Sequence, residues 1–139
     1  MTEPLDQRPM LAVVLNRDLL FGSRIRSALT SLGLEALFVV STEQFVSALD
    51  EKQGLAAIGI IDMNGAVSWD VLGAAFARED GGLAPTLAFG PHVDVEGRRA
   101  AKAAGMTRIV SNGQFHADMA GLIDRYRRRQ TEDRKPTAG

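Results

Sequence analysis

An aspartate at the end of an apolar run is the side chain best placed to do chemistry in this chain. Residues Ala57–Asn64 read Ala-Ile-Gly-Ile-Ile-Asp-Met-Asn, and the apolar run stops at Asp62. A run this apolar, without alternation, is typical of a strand buried on both faces of a parallel sheet. In such sheets, functional groups gather in the crevice beyond the carboxyl ends of the strands. We therefore expect Asp62 to lie at a candidate functional crevice.

Few other side chains suggest a site of their own. The chain has no cysteine, which excludes disulfides, thiolate metal sites and cysteine nucleophiles. His92, expected at the rim of the crevice, and His116, expected in the first turn of the last helix, lack the spacing of a metal-binding pair. Arg125 and Arg127–Arg129 form a basic helix end that is expected to face solvent and to interact with the helix dipole. No glycine-rich or Walker-type nucleotide motif is present.

The composition is that of one globular domain. The 139-residue chain is 45% hydrophobic and 24% charged, and its net charge of -1 argues against a general nucleic-acid binder. Residues 1–9 lack the apolar region of a secretory signal, and no stretch is apolar enough to span a membrane. We therefore predict a cytoplasmic protein with no membrane partner. Its expected parts are a flexible leader at 1–9, a single domain at 10–129 and a disordered tail at 130–139.

Apolar runs and helical spacing predict five strands that alternate with five helices. The strands are predicted at Met10–Leu15, Leu34–Val40, Leu55–Asp62, Pro85–Phe89 and Arg108–Val110. The helices are predicted at Leu19–Leu32, from Thr42 to the stop at Gly54, from Trp69 to Glu79, at Val95–Ala104 and at Phe115–Arg129, with Ser111–Gly113 as a loop before the last one. This alternation is typical of an α/β fold, in which helices cover both faces of a parallel sheet.

The order and lengths of these units, together with the place of Asp62, resemble the receiver domain of bacterial response regulators. The resemblance covers Met10–Arg127, and Lys102–Gly105 before the fifth strand is also similar to the family. It implies a flavodoxin-like, five-stranded parallel sheet in the order 2-1-3-4-5. It also implies that Asp62 corresponds to the aspartate that accepts a phosphoryl group. Asn64 falls where the family uses a backbone carbonyl as a magnesium ligand.

The first departure from the family concerns the metal site. Asn16 and Arg17 stand where the family has two acidic residues that hold magnesium, and Asp18 follows one position later. Magnesium prefers hard oxygen ligands, so one carboxylate beside a neutral amide makes a weak site. We hypothesise that the Arg17 guanidinium takes the metal's place and pairs with Asp62. In the alternative, a one-residue shift brings Asp18 into the crevice, and any metal ligands would be Asp62, Asp18 and Asn64.

Further departures concern the switch. Gly90 stands where the family has a threonine or serine whose hydroxyl meets the phosphoryl oxygen. Ser111 and Asn112 occupy the stretch where the family has a lysine after the fifth strand. Ile109 lies near the position at which the family has an aromatic residue that swings inward, and an isoleucine cannot repeat that motion. The resemblance therefore implies that phosphorylation would lack its usual route to the output surface.

We interpret the chain as a stand-alone, atypical receiver-like signalling module that acts by protein–protein interaction. It is expected to be neither an enzyme nor a cofactor protein and to lack conventional magnesium-dependent phosphorylation. The expected partner is a histidine kinase or a downstream effector that contacts the fourth helix, fifth strand and last helix, the face through which a homodimer is also expected. One alternative is a true response regulator, phosphorylated on Asp62 with magnesium. Another is a small flavodoxin-like ligand binder or enzyme.

Overall fold

The structure, a computed structural model, describes residues 10–79 and 82–129, which form a parallel sheet between two layers of helices. Its strands lie in the order β2-β1-β3-β4-β5, which confirms the predicted architecture and strand order. The strands are β1 (Leu11–Leu15), β2 (Glu35–Val39), β3 (Ala56–Asp62), β4 (Thr86–Gly90) and β5 (Arg108–Ser111). The helices are α1 (Leu19–Ser31), α2 (Thr42–Glu51), α3 (Trp69–Glu79), α4 (Val95–Ala104), α5 (Asn112–Ala117) and α6 (Met119–Tyr126). The predicted leader at 1–9 and tail at 130–139 lie outside the described residues.

Strand β3 occupies the centre of the sheet because its sequence is apolar almost throughout. All seven of its residues are buried, and it pairs with β1 on one side and β4 on the other. In this register Leu15 lies beside Ile61, and Asp62 lies beside Phe89. The residues that follow β1 and end β4 are therefore brought to the carboxyl end of β3, on either side of Asp62.

Two apolar cores hold the helices on the two faces of the sheet. Helices α2, α3 and α4 cover one core, to which Phe45, Leu49, Leu72 and Ala101 contribute fully buried side chains. Helices α1, α5 and α6 cover the other, which contains Ile25, Leu29, Phe115 and Ile123. Each large buried side chain contributes on the order of 2 kcal/mol through removal of apolar surface from water. No helix among residues 10–79 and 82–129 is both long enough and apolar enough to cross a bilayer.

The last part of the domain contains two short helices, so the prediction of a loop followed by a single helix at Phe115–Arg129 is wrong. A capping box, in which Ser111 and Gln114 exchange side-chain and backbone hydrogen bonds, begins α5 at Asn112. The helix then breaks at Asp118, whose backbone is non-helical and whose carboxylate accepts a hydrogen bond from Gly121 N. Aspartate favours such caps over helix interiors. The result is two short helices, of which the second ends at Tyr126.

Arg128, which follows α6, binds the amino-terminal edge of the sheet, although the sequence predicted that this basic helix end would face solvent. The backbone N–H of Arg128 donates to Ala57 O at 2.7 Å. Its guanidinium donates to Gln53 O at 3.1 Å and to Gly82 O at 3.5 Å. Arg128 therefore joins the segments that precede β3 and β4.

Substitution of Arg128 by alanine is expected to lower the free energy of unfolding by roughly 1–3 kcal/mol, the usual range for charge-assisted hydrogen bonds to partly buried carbonyls. Urea denaturation followed by circular dichroism measures the change. Arg125→Ala is the matched control, because Arg125 is exposed. An equal effect of the two substitutions would contradict a structural role for Arg128.

Candidate functional site

Asp62 ends β3 as a buried carboxylate whose two oxygens both accept hydrogen bonds from amides. Its exposed fraction is 6%. Asn16 Nδ2 donates to Asp62 Oδ2 at 2.8 Å. The backbone N and Nδ2 of Asn64 donate to Asp62 Oδ1 at 2.8 and 2.7 Å. The negative charge is thus held by three neutral donors, an arrangement that offsets the cost of burying it.

Asn16 reaches Asp62 because β1 and β3 are neighbours and end at the same edge. Its backbone N–H continues the sheet by donating to Val39 O at 3.2 Å. Its side chain lies close to α1 at Gly22, where an added Cβ would make a tight contact of 3.1 Å with Asn16 Oδ1. With its Nδ2 directed at Asp62 and its Oδ1 beside α1, Asn16 acts toward the carboxylate as a donor.

A second amide pair links β3 to the start of α5. Asn64 Nδ2 donates to Asn112 Oδ1 at 3.0 Å, and Asn112 Nδ2 donates back to Asn64 Oδ1 at 3.0 Å. Asn112 lies in the stretch where the resemblance places a lysine. The structure therefore has a neutral, reciprocal amide contact where that lysine would bring a cation, and the contact ties the end of β3 to the last part of the domain.

Arg17 lies at the crevice but does not form the predicted ion pair with Asp62. Its Nη2 donates to Ala66 O at 3.1 Å. The guanidinium occupies the space that a side chain at residue 65 would fill, since a Cβ added at Gly65 would lie 2.6 Å from Arg17 Nη1. Among the described residues, no carboxylate pairs with Arg17. The hypothesis that this cation pairs with Asp62 in place of the metal is therefore wrong for this structure, because the β3–α3 loop offers Arg17 another acceptor.

Asp18 also lies at the crevice, and its carboxylate caps α1. Its Oδ1 accepts hydrogen bonds from Leu20 N at 2.9 Å and Phe21 N at 3.3 Å. A carboxylate at this position stabilises the helix through unpaired N–H groups and the helix dipole. Together with Asp62 it borders an open cleft of about 260 Å³, lined by Arg17, Asp18, Phe21, Asp62, Asn64 and Gly65.

Gly90 is a glycine for a steric reason that the sequence does not reveal. It ends β4, next in register to the Asp62–Phe89 pair. A Cβ added at Gly90 would lie 2.8 Å from Met63 Cβ, closer than such atoms approach each other. Met63 is itself buried, with 7% of its surface exposed, and its side chain begins at the carbon that would have to move. A hydroxyl-bearing residue therefore does not fit beside Asp62 in this arrangement.

Ser111 is brought near the same edge but its hydroxyl is used elsewhere. It caps α5 by accepting a hydrogen bond from Gln114 N at 3.0 Å. The Gln114 side chain accepts from Ser111 N at 2.8 Å. Of the residues identified from the sequence, the structure joins Asp62, Asn16, Asn64 and Asn112 in one hydrogen-bonded network. The other four, Arg17, Asp18, Gly90 and Ser111, are neighbours with separate structural contacts.

His116 is a neighbour of the site whose environment the sequence did not indicate. Its ring lies 4.5 Å from Phe21, 5.7 Å from Phe115 and 6.2 Å from Phe89, measured between ring centroids. Both ring nitrogens are buried without a hydrogen-bond partner among the described residues. Burial among these rings, and then the charge of Arg24, lower the pKa of His116 below 6.5, although Asp62 opposes the shift.

Acidification is expected to destabilise the domain through His116. Because its pKa is lower in the folded chain, the unfolded chain binds the proton more readily, and the free energy of unfolding falls as pH drops below about 6.5. Thermal unfolding of wild type and His116→Phe at several pH values measures this loss, which should be smaller in the variant. His92→Gln, at an exposed position, should behave as wild type. Equal pH dependence in wild type and His116→Phe would contradict the account.

The donor set at the end of β3 fits a magnesium ion poorly. Magnesium is held by several oxygen ligands in octahedral geometry. Here Asp62 is flanked by amide N–H groups, and Asp18 is engaged at the start of α1. No group of three or more acidic, histidine or cysteine residues within 10–79 and 82–129 is arranged to hold a metal ion. The side chains present are arranged to donate hydrogen bonds to Asp62 rather than to coordinate a cation beside it.

No family model and no curated protein matches the chain, but several solved structures are similar to it in fold. The chemotaxis response regulator CheY4 of Vibrio cholerae is similar, with a TM-score of 0.68 and 13% identity over 85% of this chain and 98% of that chain. The receiver domain of a Pseudomonas aeruginosa sensor histidine kinase, with magnesium coordinated in its active-site cleft, gives a TM-score of 0.69 and 18% identity over 85% and 97%. A CheY-like protein, TadZ, from the same organism gives 0.63 and 19% over 84% and 98%. The chain therefore adopts the fold of CheY-like response-regulator receiver domains.

Proposed function

We propose that this protein is an atypical receiver-like signalling module, which acts by contact with other proteins and is not switched by magnesium-dependent phosphorylation of Asp62. The receiver fold supports the signalling role. The observation that carries the atypical part is the pattern of donors around Asp62, whose two carboxylate oxygens accept three hydrogen bonds from Asn16 and Asn64. These donors stabilise the carboxylate in the place where a metal and a phosphoryl group would have to approach it.

Phosphoryl transfer to a carboxylate needs cationic stabilisation of the charge that develops on the phosphoryl oxygens. The residues nearest Asp62 supply amide dipoles, and the nearby cation, Arg17, is bound to Ala66 O. An incoming phosphoryl group would also displace the Asn16 and Asn64 hydrogen bonds without a compensating metal. This chemistry supports a carboxylate that serves as a structural acceptor rather than as a nucleophile.

The same network supports a single, constant conformation. The contacts from Asn16 to Asp62, from Asp62 to Asn64 and from Asn64 to Asn112 join β1, β3 and α5 without any bound group. At Gly90 there is no hydroxyl to reorient, and Met63 fills the adjoining space. A receiver held in this way would present one surface to its partner at all times, and its signal would be set by its abundance.

The test is a two-dimensional amide NMR spectrum of the protein before and after addition of magnesium and beryllofluoride, a mimic of the phosphoryl group. We expect the signals of Asn64, Asn112 and their neighbours to stay in place. Asp62→Asn serves as the control for effects of the reagents elsewhere on the surface. Shifts around β3 that vanish in Asp62→Asn would overturn the proposal and favour a phospho-accepting response regulator.

A further inference from the structure

A groove between α1 and β2 combines exposed apolar side chains with two cations. Its volume is about 380 Å³, and its walls are formed by Leu19, Gly22, Ser23 and Arg26 of α1 and by Phe38 and Val40 at the end of β2. Asn16 and Arg17, which follow β1, complete the lining. Residues three or four apart share a helix face, and residues two apart share a strand face. The regular geometry of the two elements therefore forms this α1–β2 groove.

The open apolar surface of the α1–β2 groove is aliphatic. Leu19, at 90%, is the most exposed large apolar side chain of the described residues, and Val40 is 54% exposed. Phe38 is half-buried and packs against the core. The Arg26 guanidinium lies over the Phe38 ring, 4.8 Å from its centroid. Because Arg26 covers this ring, Leu19 and Val40 supply most of the apolar surface that a ligand could remove from water.

The dimensions of the groove suit a small molecule. Gly22 is a buried residue of α1, and a Cβ added there would lie 3.5 Å from Phe38 Cε1. The absence of a side chain at residue 22 therefore leaves space between the helix and the strand. The volume of about 380 Å³ lies within the range of roughly 300–1,000 Å³ that is usual for small-molecule sites, which combine apolar walls with a few polar groups.

The cations of the groove have no carboxylate partner in the described part of the chain. No acidic residue lines the groove, and no carboxylate of residues 10–79 or 82–129 forms an ion pair with Arg17 or Arg26. Glu35 borders a neighbouring groove together with Arg26 but does not pair with it. Stacking on Phe38 orients the Arg26 guanidinium, whose planar fork of N–H groups matches the two oxygens of a carboxylate.

We propose that the α1–β2 groove binds a medium-chain alkyl carboxylate, with the carboxylate on Arg26 and the chain between Leu19 and Val40. The unpaired guanidinium complements the anionic head, and the aliphatic walls complement the alkyl chain. An aromatic acid is disfavoured, because Arg26 already covers the Phe38 ring on which it would stack. The inference goes beyond the proposed function and holds whether or not Asp62 is phosphorylated.

Titration with octanoate, followed by two-dimensional amide NMR, tests the proposal. We expect saturable shifts of the signals of Leu19, Ser23, Phe38 and Val40. Octanamide has the same chain without the charge and is expected to bind at least about tenfold more weakly, because the charge-assisted hydrogen bonds to Arg26 are lost. Butyrate, whose chain is shorter by four methylene groups, is also expected to bind at least about tenfold more weakly.

Two variants at exposed positions of α1 test the two halves of the site, and neither should affect the fold. Arg26→Gln should weaken octanoate binding at least about tenfold, and Leu19→Ser should weaken it at least about threefold. The matched controls are Arg24→Gln and Leu20→Ser, which make the same changes at exposed residues of α1 that do not line the groove. Both controls should bind octanoate as wild type does.

The absence of saturable shifts, equal binding of octanamide, or equal losses in a variant and its control would each overturn the proposal. Tighter binding of phenylpropionate, an aromatic acid of similar size, would contradict the choice of an alkyl ligand. An acidic, leucine-containing peptide that shifts the same signals at lower concentrations than octanoate would assign the groove to a partner protein instead. None of these outcomes bears on Asp62, whose test with magnesium and beryllofluoride is independent.

Discussion

Replacement of Asn16 and Arg17 by aspartate is expected to strengthen magnesium binding in the crevice beside Asp62. Asn16 now donates to Asp62, and Arg17 places a cation at the edge of the same cleft. The double substitution adds two carboxylates and removes that cation, which supplies the hard oxygen ligands magnesium requires. We expect affinity for magnesium to rise by at least about tenfold, since each added charge acts over a few ångströms at reduced dielectric. Isothermal titration calorimetry measures the gain.

The matched control for this gain is Ser27→Asp/Arg24→Asp, which makes the same change in net charge at exposed positions of α1. It should leave magnesium affinity as in wild type. Wild-type binding as strong as that of the Asn16→Asp/Arg17→Asp variant would show that the present residues already suffice. Failure of the variant to bind would show that the end of β1 is not placed to serve a metal at Asp62.

Introduction of threonine at Gly90 is expected to destabilise the domain rather than to restore a switch. The added Cβ would collide with Met63 Cβ, and neither strand end can move without disturbing the Asp62–Phe89 register. Overpacking of this kind costs typically about 1–3 kcal/mol. Chemical denaturation of Gly90→Thr and Gly90→Ala should give losses in this range, because the clash arises at Cβ in both.

A second substitution identifies the cause of that loss. In a Met63→Gly background the collision is absent, so Gly90→Ala should cost less there than in wild type, and the two changes should be non-additive. Gly113→Ala is the control, because a Cβ there would meet only Ser111 Oγ at 3.9 Å. Additive losses at residues 63 and 90 would contradict the steric account of Gly90.

The sheet could be predicted because its signals are local. The unbroken apolar run before Asp62 is typical of a strand covered on both faces, and the alternation of such runs with helical spacing indicates the strand–helix order. The break at Asp118 was missed because an aspartate in a helical pattern can either face solvent or cap a new helix. The earlier start of α5 was readable in principle, from Ser111 and Gln114 spaced as a capping box.

The crevice was predicted in position but not in its contacts. That Asp62 lies at the end of a buried strand follows from the apolar run. The sequence also shows that the family's two acidic residues are replaced by Asn16 and Arg17, and that its hydroxyl-bearing residue is replaced by Gly90. The direction of Arg17 depends on space at Gly65, far along the chain. The surroundings of His116 depend likewise on three phenylalanines from α1, β4 and α5. Such contacts are set by tertiary packing, which residue spacing alone does not encode.

The most direct test of the central claim is the intact mass of the protein after incubation with acetyl phosphate and magnesium. Asp62→Asn, treated in the same way, controls for phosphorylation elsewhere. Because the Asp62 carboxylate accepts three hydrogen bonds from amides and its neighbours fit magnesium poorly, we expect wild type and Asp62→Asn both to keep their unmodified mass. A phosphoryl adduct on wild type that is missing from Asp62→Asn would contradict the account and make Asp62 a working phospho-acceptor.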